Sequence, residues 1–481
     1  MASVEDLIYP LLKTYIASPQ WVKHSVGWAY SAVPVRFRYG SAYRQFQNDS
    51  VAAMEPEDLQ WQINRKLMQV LQWASLTVPA YRKFEKLIDP DAAPEVLLKQ
   101  FPLIGKADIK ADSERFLSTA ISARQRLKTF TGGSTANPMM FYLQKNISRP
   151  KEYAFMDAFH NRIGLGQPDI VLALRGRTVP TAREQGGRLW MYEPIKRQLI
   201  LSSDHLEPAY MPQYVQALRE WRPTFIQAFP SALFPLAKWL AEHPEPDITD
   251  RMRGVMLYSE NVYGFQMDLF REVFVCPVLK HFGQSERVLM AASMPDDERY
   301  FFWPQYGHFE LVDSDGNAIT QPGVLGEIVG TSFDNQAMPF IRYRTGDMAM
   351  LSDRPRHPLL PKYPVVERIE GRMQEFLVCR DHRLVSITTM GAAHFDELAL
   401  VDAIQYEQRE PGHFILNVVS RRPLDEKARR NIAHAVEVKT QSGCSAEVRT
   451  VGEIPRTERG KHRMLIQYLD VSAYLGATPA G

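Results

Sequence analysis

Asp169-Ile170-Val171-Leu172-Ala173-Leu174 is the stretch on which the fold turns. After one aspartate the run is wholly apolar, without the polar alternation of a half-exposed strand, and it reads as a strand buried in a core. Residues 224–229 (Thr-Phe-Ile-Gln-Ala-Phe) and 254–258 (Gly-Val-Met-Leu-Tyr) read the same way. Between these runs, residues 206–221 and 232–243 carry helical patterns. Strands alternating with helices define an α/β layered body. Upstream, Leu59, Ile63, Leu67, Val70, Leu71 and Ala74 recur at helical spacing, with Pro56 where a first-turn proline is tolerated. Downstream the pattern changes. Residues 401–408 and 413–420 read as a strand pair across Glu410-Pro411-Gly412, followed by a helix over 424–439 and a strand near 446–451. That is a small α+β unit, and the economical division is a domain of residues 1–372 and a second of residues 373–481.

Composition excludes several classes. The chain has 481 residues, 45% hydrophobic and 23% charged, the balance of an ordinary globular protein. Its 57 Lys and Arg against 55 Asp and Glu leave a formal charge of +2, too near neutral for a general nucleic-acid binder. From Glu375 onward 14 basic residues face 14 acidic ones, so no basic tail hides in that average. The cysteines, Cys276, Cys379 and Cys444, are far apart and form no CxxC pair. That argues against a disulfide scaffold or zinc ribbon and fits a reducing compartment. Glu5 and Asp6 precede any apolar stretch, unlike a secretory signal, and the apolar stretch 223–237 is short and broken by Pro223, Pro230 and Pro235. The expectation is a cytoplasmic protein with no membrane span.

Four segments carry chemistry. Thr131-Gly132-Gly133-Ser134-Thr135-Ala136-Asn137-Pro138 concentrates glycines and hydroxyls in one loop, a composition that presents N–H and O–H donors to phosphate. It is not a GxxxxGK[ST] loop, and a polar surface turn would have a similar composition. His281-Phe282-Gly283-Gln284-Ser285-Glu286 follows a strand-like Pro277-Val278-Leu279-Lys280, so Glu286 stands at a strand end, where a carboxylate can hold Mg²⁺; a solvated loop acid is the competing reading. The closing glycine of a GxSxG nucleophile elbow is missing, which disfavours a serine hydrolase. Tyr343-Arg344-Thr345-Gly346-Asp347 sets an aspartate on a Thr-Gly turn, able to accept from two ribose hydroxyls or simply to close a β-turn. Pro455-Arg456-Thr457-Glu458-Arg459-Gly460-Lys461 is a loop with a lysine at its tip.

Taken in order, TGGSTxxP, GxSE, YRTGD, Glu370-Gly371-Arg372 and PRTxxGK resemble the adenylate-forming superfamily of acyl- and aryl-CoA ligases, over residues 131–461. The layout is similar to phenylacetate–CoA ligase relatives, in particular their branch associated with capsule and other polysaccharide biosynthesis. The resemblance implies a large layered N-terminal domain and a small mobile α+β C-terminal domain. It implies that Thr131, Gly132, Gly133, Ser134 and Thr135 hold the β- and γ-phosphates of ATP. Tyr258, Ser259 and Glu260 would lie on the adenine side, Gln284 and Ser285 near the α-phosphate, and Glu286 on Mg²⁺. Asp347 would bind the ribose with Arg372 assisting, and Lys461 would be the adenylation lysine. Two positions depart from the family pattern: Ala136 replaces a usual glycine, and Gln374 stands at the expected hinge of Gln374-Glu375. The acyl pocket would lie among Phe155, Phe159, Phe229 and Tyr258, which could equally be core aromatics, with His160 either structural or facing a polar substituent.

The expected activity is therefore ATP- and Mg²⁺-dependent conversion of a small carboxylic acid to an acyl-adenylate, with CoA as acceptor. The rivals are transfer to an amine, hydroxyl or carrier protein, and a nucleotide-binding scaffold without catalysis. A hydrolase using Ser134 is the third. The resemblance also allows a homodimer.

Overall fold

A computed structural model describes residues 14–15, 18–51, 56–131, 139–166, 168–175, 179, 187–203, 205–206, 208–372, 375–387, 401–440, 442–455 and 463–474. Strands β1 (Arg126–Phe130) and β2 (Met140–Gln144) pair antiparallel. Behind them stands a 12-stranded sheet. Its parallel half contains β3 (Val171–Leu174), β5 (Gln198–Leu201), β6 (Phe225–Ala228), β7 (Gly254–Leu257) and β8 (Val278–Gly283), with β4 (Trp190–Glu193) antiparallel at the edge. Every residue of β3, β5, β6 and β7 is buried, which is why these strands read as unbroken apolar runs.

Helices bearing on the site are α1 (Pro56–Thr77), α2 (Ser148–Asn161), α3 (Met211–Trp221), α4 (Pro230–Glu242), α5 (Gly264–Phe274) and α6 (Glu426–Lys439). The first three apolar runs and both helical patterns of the sequence reading appear as β3, β6, β7, α3 and α4. The third helix begins later than its pattern, at Met211, because Pro208–Tyr210 forms a 3₁₀ turn first. Proline opens α4, where a missing N–H costs nothing.

The antiparallel half comprises β9 (Met290–Met294), β10 (Asp297–Phe302), β11 (Gly307–Val312), β12 (Leu325–Ser332), β13 (Tyr343–Leu351) and β14 (Val365–Arg372). Across the sheet the order is β11-β12-β13-β14-β10-β9-β8-β7-β6-β3-β5-β4. Strand β8 runs parallel to β7 and antiparallel to β9, so it joins the two halves. Strand β3 lies between β5 and β6, so the chain winds one way from β3 and then the other. In such sheets ligands bind at the carboxyl ends of the strands beside that reversal.

The small domain has its own sheet. After a β15 (Phe376–Val378) and β16 (Leu384–Ser386) pair come β17 (Val401–Glu410), β18 (His413–Ser420), β19 (Ser445–Thr450) and β20 (Leu465–Gln467), in the order β19-β18-β17-β20. Asp425 caps α6 by accepting from the Ala428 N–H. Gly412 takes φ +76° in the turn read from Glu410-Pro411-Gly412. Ile404, Tyr406, Leu416, Val418, Ile432 and Val436 form a core separate from that of the large sheet.

Two rings of the large domain reach it: Tyr263, from the β7–α5 connection, is buried in the small domain's core, and Phe265 of α5 packs against that core. Three polar links accompany them. Asn261 Nδ2 donates to Glu375 Oε2 (2.7 Å), Lys238 Nζ to the Val401 carbonyl (3.0 Å), and Arg421 Nη1 to Glu242 Oε1 (3.0 Å). Among the described residues no helix is long and apolar enough to cross a membrane.

Candidate active site

The site is built where β8 joins the two halves. Past β8 the chain turns at Gln284, whose carbonyl accepts from the Arg287 N–H (3.0 Å) and whose Oε1 accepts from the Leu289 N–H (3.2 Å). This turn withdraws Glu286 from solvent, leaving it 8% exposed. Tyr343 Oη, at the start of β13, donates to Glu286 Oε1 (2.8 Å). The second and third sequence segments are thereby brought together. The other Glu286 oxygen accepts no hydrogen bond from a described residue.

The Tyr343–Asp347 segment is held from the neighbouring strand. Glu327 of β12 accepts from Arg344 Nε (2.7 Å) and from the Gly346 N–H (3.0 Å), while Thr345 Oγ1 donates to the Ile328 carbonyl (2.8 Å). Gly346 has φ +76°, a conformation a side chain disfavours. The Asp347 N–H donates to Thr345 Oγ1 (3.1 Å). In the β13–β14 ladder Asp347 lies directly opposite Arg372, and Met348 opposite Gly371. Gly371 has φ +94°, and a Cβ there would lie 2.1 Å from Glu375 Oε2 and 2.2 Å from Asn261 Nδ2. The glycine therefore makes room for the link between the two domains. Glu327, which organises the whole segment, was not a sequence candidate; as a lone acid in an apolar strand it offered only weak notice.

Thr131 directly follows β1, is buried, and its Oγ1 accepts from the Met139 N–H (2.9 Å) just before β2 begins. The loop between them, with Gly132, Gly133, Ser134, Thr135 and Ala136, lies outside the described residues. So do Gln374 and Lys461, and of Arg372 only the strand position is described.

After β7, Ser259 adopts φ +60°. Glu260 turns back to the start of α4, where its carboxylate accepts from the Ser231 N–H (3.0 Å) and hydroxyl (3.1 Å). Ser285 lies in the Gln284–Arg287 turn, half-buried. Tyr258 is buried, and its hydroxyl meets His160 Nε2 (3.1 Å). Gln227 Nε2 reaches the same His160 nitrogen (3.1 Å), and Gln198 Nε2 donates to Gln227 Oε1 (3.1 Å). Burial, with the positive charge of Arg175 second, lowers the His160 pKa to about 3. Burial likewise lowers His281 to about 3, with the neighbouring His160 next in effect. Burial also raises the Tyr258 hydroxyl. All these groups are neutral near pH 7.

The aromatic expectations divide. Phe159 packs edge-on to Tyr258 (5.9 Å) and near His281 (5.4 Å). Phe155 instead packs edge-on against Trp303 (6.2 Å) and Tyr306 (5.0 Å), so it is a core side chain. Gln198 and Gln227 were not sequence candidates. The notice for Gln227 was an amide inside an otherwise apolar buried strand.

A cleft of about 630 Å³ lies apart from these residues, between α5, the β9–β10 turn and β14. Its charges are largely matched within it: Arg271 to Glu298 (2.5 Å), and Arg354 to Glu367 (2.8 Å). Among the described residues no group of three or more His, Cys, Asp or Glu could hold a metal.

In fold and in this assembly of strand-end segments the chain is similar to the adenylate-forming ligases, in particular to the CapK-like branch. Residues 377–468 match the CapK C-terminal domain family. Protein CapK of Staphylococcus aureus is 21% identical over 371 residues, covering 77% of this chain and 80% of that protein. Phenylacetate–coenzyme A ligase of Escherichia coli (strain K12) is 23% identical over 441 residues, covering 85% and 95%. Among solved structures, 2-hydroxyisobutyryl-CoA ligase in its postadenylation state, in complex with R3-HIB-AMP, superposes with a TM-score of 0.66 at 17% identity, covering 89% of this chain and 92% of that one.

Proposed function

We propose that the protein uses ATP to convert a carboxylic acid to an acyl-adenylate with release of pyrophosphate, then passes the acyl group to the thiol of CoA with release of AMP. The observation that carries this reading is the Tyr343–Glu286 hydrogen bond, which sets the buried carboxylate beside the segment of Asp347. Attack of one anion on the α-phosphate of another accumulates negative charge, and catalysis consists of neutralising it and fixing the line of attack. Asp347 accepts from the ribose hydroxyls, with Arg372 opposite it on the ladder. The loop from Thr131 through Gly132, Gly133 and Ser134 to Thr135 cradles the phosphates. Gln284 and Ser285 sit by the α-phosphate, Tyr258, Ser259 and Glu260 by the base, and Lys461 donates to the oxygens that gain charge.

Glu286 suits Mg²⁺: one oxygen is anchored by Tyr343 and the other takes no bond from a described residue. Among the described residues no group of three such ligands surrounds it, so phosphate and water oxygens would complete the shell, the usual arrangement for this ion. Bound there, Mg²⁺ would offset charge on the phosphates. Residues 373–481 form the lid that carries Lys461 in and withdraws it before the thiol enters.

The experiment is acid-dependent ATP–pyrophosphate exchange across aryl, fatty and amino acids, followed by AMP release with CoA, amines and sugars. Exchange in the presence of one acid class supports the adenylation reading. ATP binding without exchange for any acid would replace it with a scaffold, and AMP release only with amines or sugars would replace CoA.

A further inference from the structure

We infer that the acid accepted by this site carries an uncharged hydrogen-bonding substituent, such as a hydroxyl, amide or aromatic amine, at the end remote from its carboxylate. The inference rests on the adenylation reading above and deepens it.

The argument begins with strand register. Val171 pairs with Gln198 and with Phe225, and Ala173 pairs with Gln227. Gln227 pairs with Met256, which pairs with Leu279. Side chains alternate along a strand, so Gln198, Gln227, Tyr258 and His281 project to one face of the parallel half. That face is otherwise apolar, with Val171, Ala173, Phe225, Met256 and Leu279, apart from Arg175 just beyond β3, whose guanidinium lies over the Tyr258 ring (5.2 Å). The polar groups make a seam that starts at the carboxyl ends of β7 and β8 and runs inward beneath α2 through His160 to Gln198. Its outer end lies five residues before Glu286 on the same chain segment, beside the strand reversal where ligands enter such sheets.

The seam is incomplete. His160 Nε2 meets both Gln227 Nε2 and the Tyr258 hydroxyl (3.1 Å each), Tyr258 Oη also donates to Met256 Sδ (3.6 Å), and the acid nearest His160 Nδ1, Asp157 Oδ1, is 4.0 Å away. His281 Nε2 and Gln198 Oε1 are buried with no hydrogen-bond partner among the described residues. Buried polar atoms are normally paired, and four neutral polar side chains in an apolar layer are costly unless something completes them. A ligand group that both donates and accepts would do so. A methyl group would leave the orphaned atoms unpaired, and a carboxylate would give up water for a seam whose own members are neutral, the nearest cation, Arg175, standing over the Tyr258 ring at 5.2 Å. Sites built to hydrogen-bond a substrate reject the apolar isostere far more strongly than apolar pockets reject a hydroxyl.

The test uses the full chain and matched acids that differ only at the remote end: 4-hydroxy-, 4-methyl- and 4-carboxyphenylacetate, and the corresponding benzoates and ω-substituted fatty acids. Binding is read by calorimetry and adenylation by pyrophosphate exchange. The hydroxyl member of the best series should exceed its methyl partner by at least about 10²-fold in kcat/KM. Gln227→Leu and His160→Leu, each checked for folding by thermal melting, should bring that ratio towards unity. A methyl or carboxylate acid that equals or beats the hydroxyl acid overturns the inference, as does a ratio that survives in both variants or absence of binding by every acid. Binding that discriminates without any exchange sustains the pocket and breaks the adenylation reading. Exchange with apolar acids alone does the reverse.

Discussion

The two halves of the large sheet solve different problems. In the parallel half β3, β5, β6 and β7 are buried along their whole length, and the polar side chains they carry, Gln198 and Gln227, are neutral. In the antiparallel half, Glu327, Arg344, Asp347 and Glu370 lie within or beside apolar strands, held by charge-assisted bonds such as Arg344 to Glu327 (2.6 Å). Charge is tolerated where a ladder neighbour can answer it, and excluded where helices cover the strands. On the proposed function, ribose and metal fall to the antiparallel half and the body of the acid to the parallel half, with the base at the end of β7. Glu286 stands at the join.

The sharpest way to break that division is to remove charge delivered to the nucleotide side. Lys461→Ala should lower the rate of pyrophosphate exchange by about 10²–10³-fold, the scale for losing one transition-state donor. Thioester formation from preformed acyl-adenylate should be largely spared, as single-turnover assays would reveal. An equal fall in both half-reactions would refute the role. Next, Gly371→Ala should cost roughly 2 kcal/mol in denaturant titration, since it combines a left-handed φ with a clash at Glu375 and Asn261. A neutral result would mean that the antiparallel half relaxes more freely than its ladder implies.

The neutral half is probed by acid. His160 and His281 lie near 3 when folded against an ordinary 6.5. Between those values the unfolded chain binds protons that the folded chain does not. Their contribution is therefore intact above about pH 6.5 and falls as pH drops towards 3, by about 2 kcal/mol for each histidine near pH 5. His281→Phe should flatten this slope in melts taken across that range. The smallest effect is expected at Asp347→Asn, about a tenfold rise in KM for ATP with the acid's KM unchanged. A shift in the acid's KM instead would blur the division.

Legibility followed the same line. Strands β3, β6 and β7 stood out as apolar runs because burial on both faces writes an unbroken signature. The hairpin of β17 and β18 stood out because its turn contains proline and glycine. The antiparallel strands β9 to β14 did not, since their charged members interrupt any simple period. Motif order exposed Glu286 and Asp347 because each motif is local. The seam of His160, Gln198 and Gln227 was hidden, because its members come from α2, β5 and β6 and become neighbours only through sheet register. Which of its two readings holds for Phe155, pocket or core, was not legible for a related reason: helical spacing does not reveal which side of α2 faces Trp303.

Tyr263 gives the lid a thermodynamic anchor. A domain whose core is sealed by another domain's ring is not a free body on a tether, and turning it away would uncover both the ring and the hollow it fills. That exposure, roughly 2 kcal/mol for one large side chain, weights the resting pose before any nucleotide arrives. On the proposed function, residue 263 sets the swing of the small domain as well as the linker does, and a smaller residue there would loosen that domain without touching the chemistry.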